Sequence, residues 1–415
     1  MKESTRPLPA PHEREVFMDA LRGFAILGIF IANLNYLSLN FGKPEGLFHL
    51  AWDDEVSFWK KVFFEGKFYS IFSLLFGWGF ALQYQKTIDS GITGSGMLFR
   101  RLWGMLLLGL MHLVLLWFGD IVAFYALLAL LCLYPVRRVA PKKLAIIGGV
   151  FILLPIAHYA AMKWIPAFRF PYEWLFKTGA GMDEKMGIDF SAPPVEQTQT
   201  WWQIWKINVS GFFFRYGGLY FESRFFKVLG MFYIGYALGR NYYYRRVLND
   251  KDLLKKIAGV GLLVALPLNV LLAYLMKNNR AYENLETAGL YQTIVYALAV
   301  APLALGYVAL LALGWQQKLF HNTLRVLQPV GKMAFSNYML QSLSCLLIFT
   351  GIGLGYAQQL GHFYQLIFGV LFFGLQVLFS HGWLYFFRFG PVEWVWRCMT
   401  YKRRVPMLRK KSTAP

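Results

Sequence analysis

Charge is scarce in this chain, and acidic charge most of all. Asp and Glu number 22 in 415 residues, and all charged residues make up 15%, against about 25% in a typical soluble domain. A chain so poor in polar groups cannot coat a water-facing globule. That excludes a soluble enzyme, and the same apolar bias excludes a disordered chain. Cysteine is as sparse: Cys132, Cys345 and Cys398 lie far apart, without metal, redox or disulfide-scaffold spacing. Phosphate loops, Gly-x-Ser-x-Gly elbows, His-Glu-x-x-His helices and dinucleotide fingerprints are missing. ATP-driven transport and metal-assisted hydrolysis lose support.

What is abundant is apolar. Hydrophobic residues reach 57%, and aromatics 18%. Crossing roughly 30 Å of hydrocarbon takes about 20 residues as helix. Ten stretches qualify: Val16–Leu37, Lys67–Tyr84, Leu98–Phe118, Ile121–Pro135, Leu144–Met162, Ser223–Gly239, Leu253–Met276, Leu290–Gly314, Met333–Gly355 and Phe363–Phe387. The first runs well past a cleavable signal core. The expected fold is an all-α polytopic membrane protein of about ten helices, a single transmembrane domain over residues 1–415, with both termini cytoplasmic.

The net charge of +20 resembles a nucleic-acid signal until it is sorted by topology. With the N-terminus inside, the inner segments hold Lys86, Arg100, Arg101, Arg137, Arg138, Lys142, Lys143, the group 240–256, Lys318, Arg325 and Lys332. The tail adds Arg388, Arg397, Lys402–Arg404 and Arg409–Lys411. Outer short loops keep only Lys43, Lys60, Lys61, Lys277 and Arg280. This is the positive-inside asymmetry, with membrane lipid as the expected partner and nucleic acid excluded. Segment 388–415 reads as an interfacial stretch, Trp394 and Trp396 at headgroup level and Glu393 four residues before Arg397, followed by a basic cytoplasmic tail.

Residues 164–222 form one long outer connection, either a cap over a cavity or a surface excursion. Its end echoes an earlier segment: Phe64-Glu-Gly-Lys-Phe68 opens the second span and Phe221-Glu-Ser-Arg-Phe225 the sixth. Gly79–Leu82 and Gly235–Leu238 follow them. Both copies bring a Glu and a cation (Lys67, Arg224) to the outer rim, which suggests two spans flanking one cavity.

Polar residues inside spans are costly and face the bundle interior or water. In the first span Asp19 and Arg22 share a helix face, and Asn33 returns to Arg22's angle about 16 Å further on. In the third, His112 sits about halfway to two-thirds of the way across, and Asp120 follows Gly119. A break at that glycine would fold the carboxylate back to the imidazole, giving a pair suited to general-base work. In the ninth, Asn337, Gln341 and Ser344 form a stripe at i, i+4 and i+7. Each has a plainer use as interhelical glue; together they suggest a shared polar crevice.

These residues also carry a resemblance. Asp19-Ala-Leu-Arg22-Gly23 continuing to Asn33, Gly66-Lys67-Phe68 with Leu75-Phe76-Gly77, His112 with Trp117-Phe-Gly119-Asp120, Gly331-Lys-Met-Ala-Phe-Ser-Asn337-Tyr338-Met-Leu-Gln341, and Phe387-Arg388-Phe-Gly390-Pro391-Val-Glu393-Trp394 resemble the YeiB-like family of bacterial inner-membrane proteins. That family is distantly similar to transmembrane acyltransferases of the heparan-α-glucosaminide N-acetyltransferase type. The resemblance implies acyl transfer from a cytoplasmic acyl-CoA, used as co-substrate with no tightly bound cofactor, to an acceptor at the outer face. Those enzymes place their catalytic histidine in the first outer loop, where this chain has His49, a rival to His112.

Three functions stay open. In an acyltransferase, Arg22, Arg100 and Arg101 meet the donor phosphates, the acyl arm follows Asn337, Gln341 and Ser344, and His112 with Asp120 deprotonates a small-molecule, glycan or lipid acceptor. Asn33 or Lys67 then steadies the oxyanion. In a transporter or flippase the same stripes are a substrate path. In a non-catalytic scaffold the basic tail holds lipid or a partner. A homo-oligomer is compatible with each.

Overall fold

The computed structural model describes residues 11–40, 48–89, 96–189, 191–277 and 280–409. Lys43, Lys410 and Lys411 of the charge pattern lie outside them. Helices account for most of it, and the only strand-like pairings among the described residues are two isolated bridges. Each of the ten expected spans is helical over most of its length.

The first half runs α1 (Pro11–Leu37), α2 (Asp53–Phe63), α3 (Lys67–Asp89), α4 (Gly96–Leu115), α5 (Val122–Leu128, prolonged by a π-turn at Ala129–Leu133), α6 (Pro141–Trp164), α7 (Phe170–Met186), α8 (Trp201–Phe221) and α9 (Arg224–Gly239). The second half runs α10 (Tyr244–Asn249), α11 (Lys251–Val260) and α12 (Leu266–Leu275), the last two joined by a π-turn at Gly261–Ala265. It continues with α13 (Arg280–Glu283), α14 (Thr287–Trp315), α15 (Lys318–Arg325), α16 (Gln328–Lys332), α17 (Ala334–Phe349), α18 (His362–Phe386) and α19 (Pro391–Tyr401). Six of these segments are long and apolar enough to cross a membrane unaided: Val16–Leu37, Gly96–Leu115, Pro141–Trp164, Lys251–Leu275, Thr287–Trp315 and His362–Phe386. The other expected spans are shorter or carry more polar residues, and helix packing shields them. We call the end that carries most of the Lys and Arg the basic end, and its opposite the far end.

The segment 164–222 is mostly helix. α7 and α8 form a hairpin, and α8 packs on α4 and α9. Asn208 of α8 anchors it, accepting from Phe118 N–H at 3.0 Å and donating to the Val114 carbonyl at 3.3 Å. Both groups lie where α4 runs out and its backbone needs partners.

The echo has a structural counterpart. Gly66 and Ser223 both take left-handed backbone (φ 82° and 55°), so Lys67 and Arg224 each become the first residue of a helix. The helices they open, α3 and α9, run parallel in tight contact. A Cβ at Gly77 would strike the Phe232 carbonyl, and one at Gly235 the Leu74 carbonyl. The relation is reciprocal, as around a local two-fold axis, and it depends on small residues that let backbones approach. The contact registers through Gly77 and Gly235, whereas the sequence pointed to Gly79.

Candidate functional site

The carboxylate folds back to the imidazole as expected, although the helix breaks after Leu115 rather than at Gly119. α4 ends at Leu115, and the turn to α5 returns Asp120 to the imidazole: His112 Nδ1 and Asp120 Oδ2 are 2.9 Å apart, with His112 1% exposed and Asp120 0%. Asp120 Oδ1 accepts from Ala123 N–H at 2.6 Å, capping α5. One carboxylate thus holds the turn and orients the ring. With Nδ1 facing a carboxylate, the proton is held there and Nε2 is left as the free base position. Nε2 is buried without a hydrogen-bond partner among the described residues. The Tyr338 ring packs against the imidazole at 4.9 Å, and its hydroxyl lies toward Asp120 without reaching hydrogen-bonding geometry.

Beside this turn is a small, mostly apolar cleft bounded by Leu37, Trp117, Ile204, Asn208, Ser342 and Leu346. Trp117, whose N–H bonds the His112 carbonyl at 3.0 Å, is shared between the cleft and the dyad's turn.

His49 lies at the far end with a different partner. Its Nδ1 is 2.8 Å from Asp53 Oδ2, while Asp53 Oδ1 accepts from Phe363 N–H at 2.8 Å at the start of α18. This is a buried cap with a half-exposed histidine resting on it. Lys67, expected as an oxyanion donor, is fully buried and donates to the Lys61 carbonyl at 2.8 Å, closing the C-terminus of α2. Arg224 pairs with Glu222 and lies 4.4 Å over the Tyr69 ring. Asn33 is half-buried on α1.

At the basic end Asp19 and Arg22 pair at 2.5 Å. Arg101 lies 3.8 Å over the Trp396 ring, and the charged groups acting on it are Arg397 and Arg22. Arg100 departs from the expected trio: its Nε donates to the Thr400 carbonyl at 3.0 Å, tying α4 to α19. The anion-attracting cluster is therefore Arg22, Arg101 and Arg397. Trp396 Nε1 donates to the Arg101 carbonyl at 2.7 Å, so α19 is docked as well as interfacial. Glu393 accepts from Phe335 N–H at 2.7 Å, Ser336 N–H at 3.1 Å and the Ser336 hydroxyl. That anchors it to the start of α17, where the helix dipole favours an anion. Burial pushes its carboxyl up from the ordinary glutamate value, and these hydrogen bonds pull it back.

The amide stripe takes its plainer use. Gln341 Nε2 donates to Gln376 Oε1 at 2.8 Å, Gln376 Nε2 to the Asn337 carbonyl at 2.9 Å, and Asn337 Nδ2 to Ser380 Oγ at 2.9 Å. Asn337, Gln341, Gln376 and Ser380 are all at most 1% exposed, so they lace α17 to α18. Ser344 is half-buried, and Ser342 faces the cleft instead. Gln341→Leu alone is expected to cost about 1–3 kcal/mol by stranding Gln376, whereas Gln341→Leu with Gln376→Met should cost less than the two single changes summed. Thermal unfolding of the three variants in detergent checks this.

Tyr338 and Arg397 were not candidates from sequence, because an aromatic or a cation in such a chain reads as packing or anchoring. His158 was also passed over. It is buried, with Nδ1 2.8 Å from Ser223 Oγ, and its bond supports the left-handed turn before α9. Among the described residues no group of three or more His, Cys, Asp or Glu could hold a metal ion.

The family model described as "Protein of unknown function (DUF418)" matches residues 238–403. The chain is 28% identical to the uncharacterized protein YeiB of Escherichia coli K12, covering 96% of this chain and 100% of the relative. The resemblance to the YeiB-like family holds. Identity is 27% to the uncharacterized protein YxaH of Bacillus subtilis, over 96% of this chain and 97% of that one. It is also 27% to an uncharacterized 39.9 kDa protein in the amylase 3' region of Bacillus acidopullulyticus, over 96% and 97%. No solved structure matches. These three relatives are matched over nearly their whole length, and the region matched by the family model, 238–403, holds the α17–α18 lacing and the docked α19 but not the dyad.

Proposed function

We propose that this membrane protein, placed in the bacterial inner membrane with its basic end in the cytoplasm, transfers an acyl group from an acyl-CoA to an acceptor reaching the dyad from the far end. The observation that carries this reading is the sealed His112–Asp120 pair with Nε2 left without a partner. His158 also has a buried Nε2 without a partner, but its Nδ1 meets a hydroxyl; His112 alone of the two has a buried carboxylate at Nδ1, able to steady the imidazolium once Nε2 takes a proton. In the proposed step Nε2 accepts the proton of an acceptor hydroxyl or amine. The acceptor oxygen or nitrogen bonds to the thioester carbonyl carbon, the carbon–sulfur bond breaks, and the imidazolium returns the proton to the leaving thiolate. Because Nε2 is enclosed, the reading requires the turn 116–121 to move for substrates to enter.

Arg22, Arg101 and Arg397 would receive the donor's phosphates, for which guanidinium groups are suited. Arg101→Gln is expected to raise KM for acyl-CoA about tenfold or more with little change in kcat, since it touches only the non-reacting part of the donor. Steady-state kinetics in nanodiscs test this; an unchanged KM removes Arg101 from the donor site. A second reading, transport of a small solute, draws on the reciprocal α3–α9 crossing with charged groups at its far end. Accumulation of solute in proteoliposomes without thiol release would favour it.

A further inference from the structure

A second concentration of charge lies away from the dyad. Arg215 of α8 and Arg224 and Lys227 of α9 gather at the far end with Glu65 and Glu222, bounded by α3 and α14. Arg224 is paired with Glu222. Lys227 Nζ lies 3.7 Å over the Tyr296 ring, and that hydroxyl meets the Tyr69 hydroxyl at 2.9 Å. The Arg215 Nε is buried without a hydrogen-bond partner among the described residues. Three cations face two carboxylates, and the guanidinium groups of Arg215 and Arg224 act on each other. Inside a membrane bundle such an imbalance is costly and marks function; an oxyanion able to accept from both guanidinium groups is its complement.

The charge cluster adjoins the apolar cleft. Tyr36 feels the charges of Glu65, Glu222, Arg224 and Arg215, and it lines the cleft that runs to Trp117. A cluster of cations beside a mostly apolar cleft matches a molecule with an anionic head and a hydrocarbon tail.

We infer that this cluster and the cleft together bind an anionic lipid, its phosphate held by Arg215, Arg224 and Lys227 and its hydrocarbon lying along the cleft. Binding is independent of whether His112 performs transfer, and its test reads no turnover. The full chain in neutral detergent is titrated with dihexanoyl phosphatidic acid, with dihexanoylglycerol and with inorganic phosphate, following the unfolding midpoint and tryptophan fluorescence. Phosphatidic acid should bind saturably, and Arg215→Gln and Lys227→Gln should each weaken it about tenfold or more. Ile204→Trp, filling the cleft, should weaken the lipid and leave phosphate unchanged. Equal binding of dihexanoylglycerol overturns headgroup recognition, and phosphate binding as tightly as the lipid overturns the lipid as occupant. If Arg215→Gln does not fold, Lys227→Gln decides alone, and an unchanged affinity there overturns the site.

Discussion

His112→Gln is expected to lower acyl transfer by roughly 10²–10⁴-fold, the usual worth of a positioned general base. Glutamine keeps an amide donor for Asp120 and removes the group that accepts the acceptor's proton. Alanine is the poorer test: it leaves Asp120, which is 0% exposed, without its 2.9 Å partner, and an unpaired buried charge costs about 3–5 kcal/mol. Loss of fold would then imitate loss of function. Asp120→Asn should also slow the reaction while the protein stays folded, because an amide oxygen can still accept from Ala123 N–H but no longer stabilises the imidazolium. His49→Gln should leave the rate within about twofold of wild type, since His49 rests on the Asp53 cap rather than near the dyad.

Gly235→Val should prevent stable folding, at a cost of about 3 kcal/mol or more, because its side chain would have to enter space held by the Leu74 carbonyl and overpacking against backbone has nowhere to relax. Gly77→Val, against the Phe232 carbonyl, should act alike. Gly374→Ala in α18 is the control: nothing lies within 4 Å of the added Cβ, and replacing a helical glycine by alanine should be neutral or stabilise by up to about 1 kcal/mol. Thermal unfolding of detergent-purified variants separates these outcomes. Similar midpoints for Gly235→Val and Gly374→Ala would remove the close α3–α9 crossing.

Most of the fold is legible in the sequence because lipid leaves a chain few options: long apolar runs must be helices. The dyad is legible for a local reason. α4 ends at Leu115 and only a short turn separates it from α5, so the return of Asp120 to His112 is a matter of short-range chain geometry. What escaped depends on helices finding each other. Asn337 and Gln341 read as a possible substrate path because their partners, Gln376 and Ser380, sit on a helix whose register no local pattern reveals. α8 was read as loop because Lys206, Asn208, Arg215 and glycines at 211, 217 and 218 interrupt its apolar character. Its neighbours α4 and α9 supply the burial that the sequence alone does not show, and Arg215 went unnoticed with it. Arg100 and Arg101 look equivalent in sequence, yet 100° of helix rotation sends one to the Thr400 carbonyl and the other over Trp396.

The most direct measurement is product formation by the purified protein in nanodiscs, given radiolabelled acyl-CoA from acetyl to palmitoyl with extracted bacterial envelope lipids and glycans as acceptors. Wild type should release free thiol in step with a labelled, chemically stable product, and His112→Gln, folded to the same midpoint, should yield almost none. Labelled product from His112→Gln at the wild-type rate, or no thiol release from any donor alongside solute uptake in proteoliposomes, would contradict acyl transfer at this dyad.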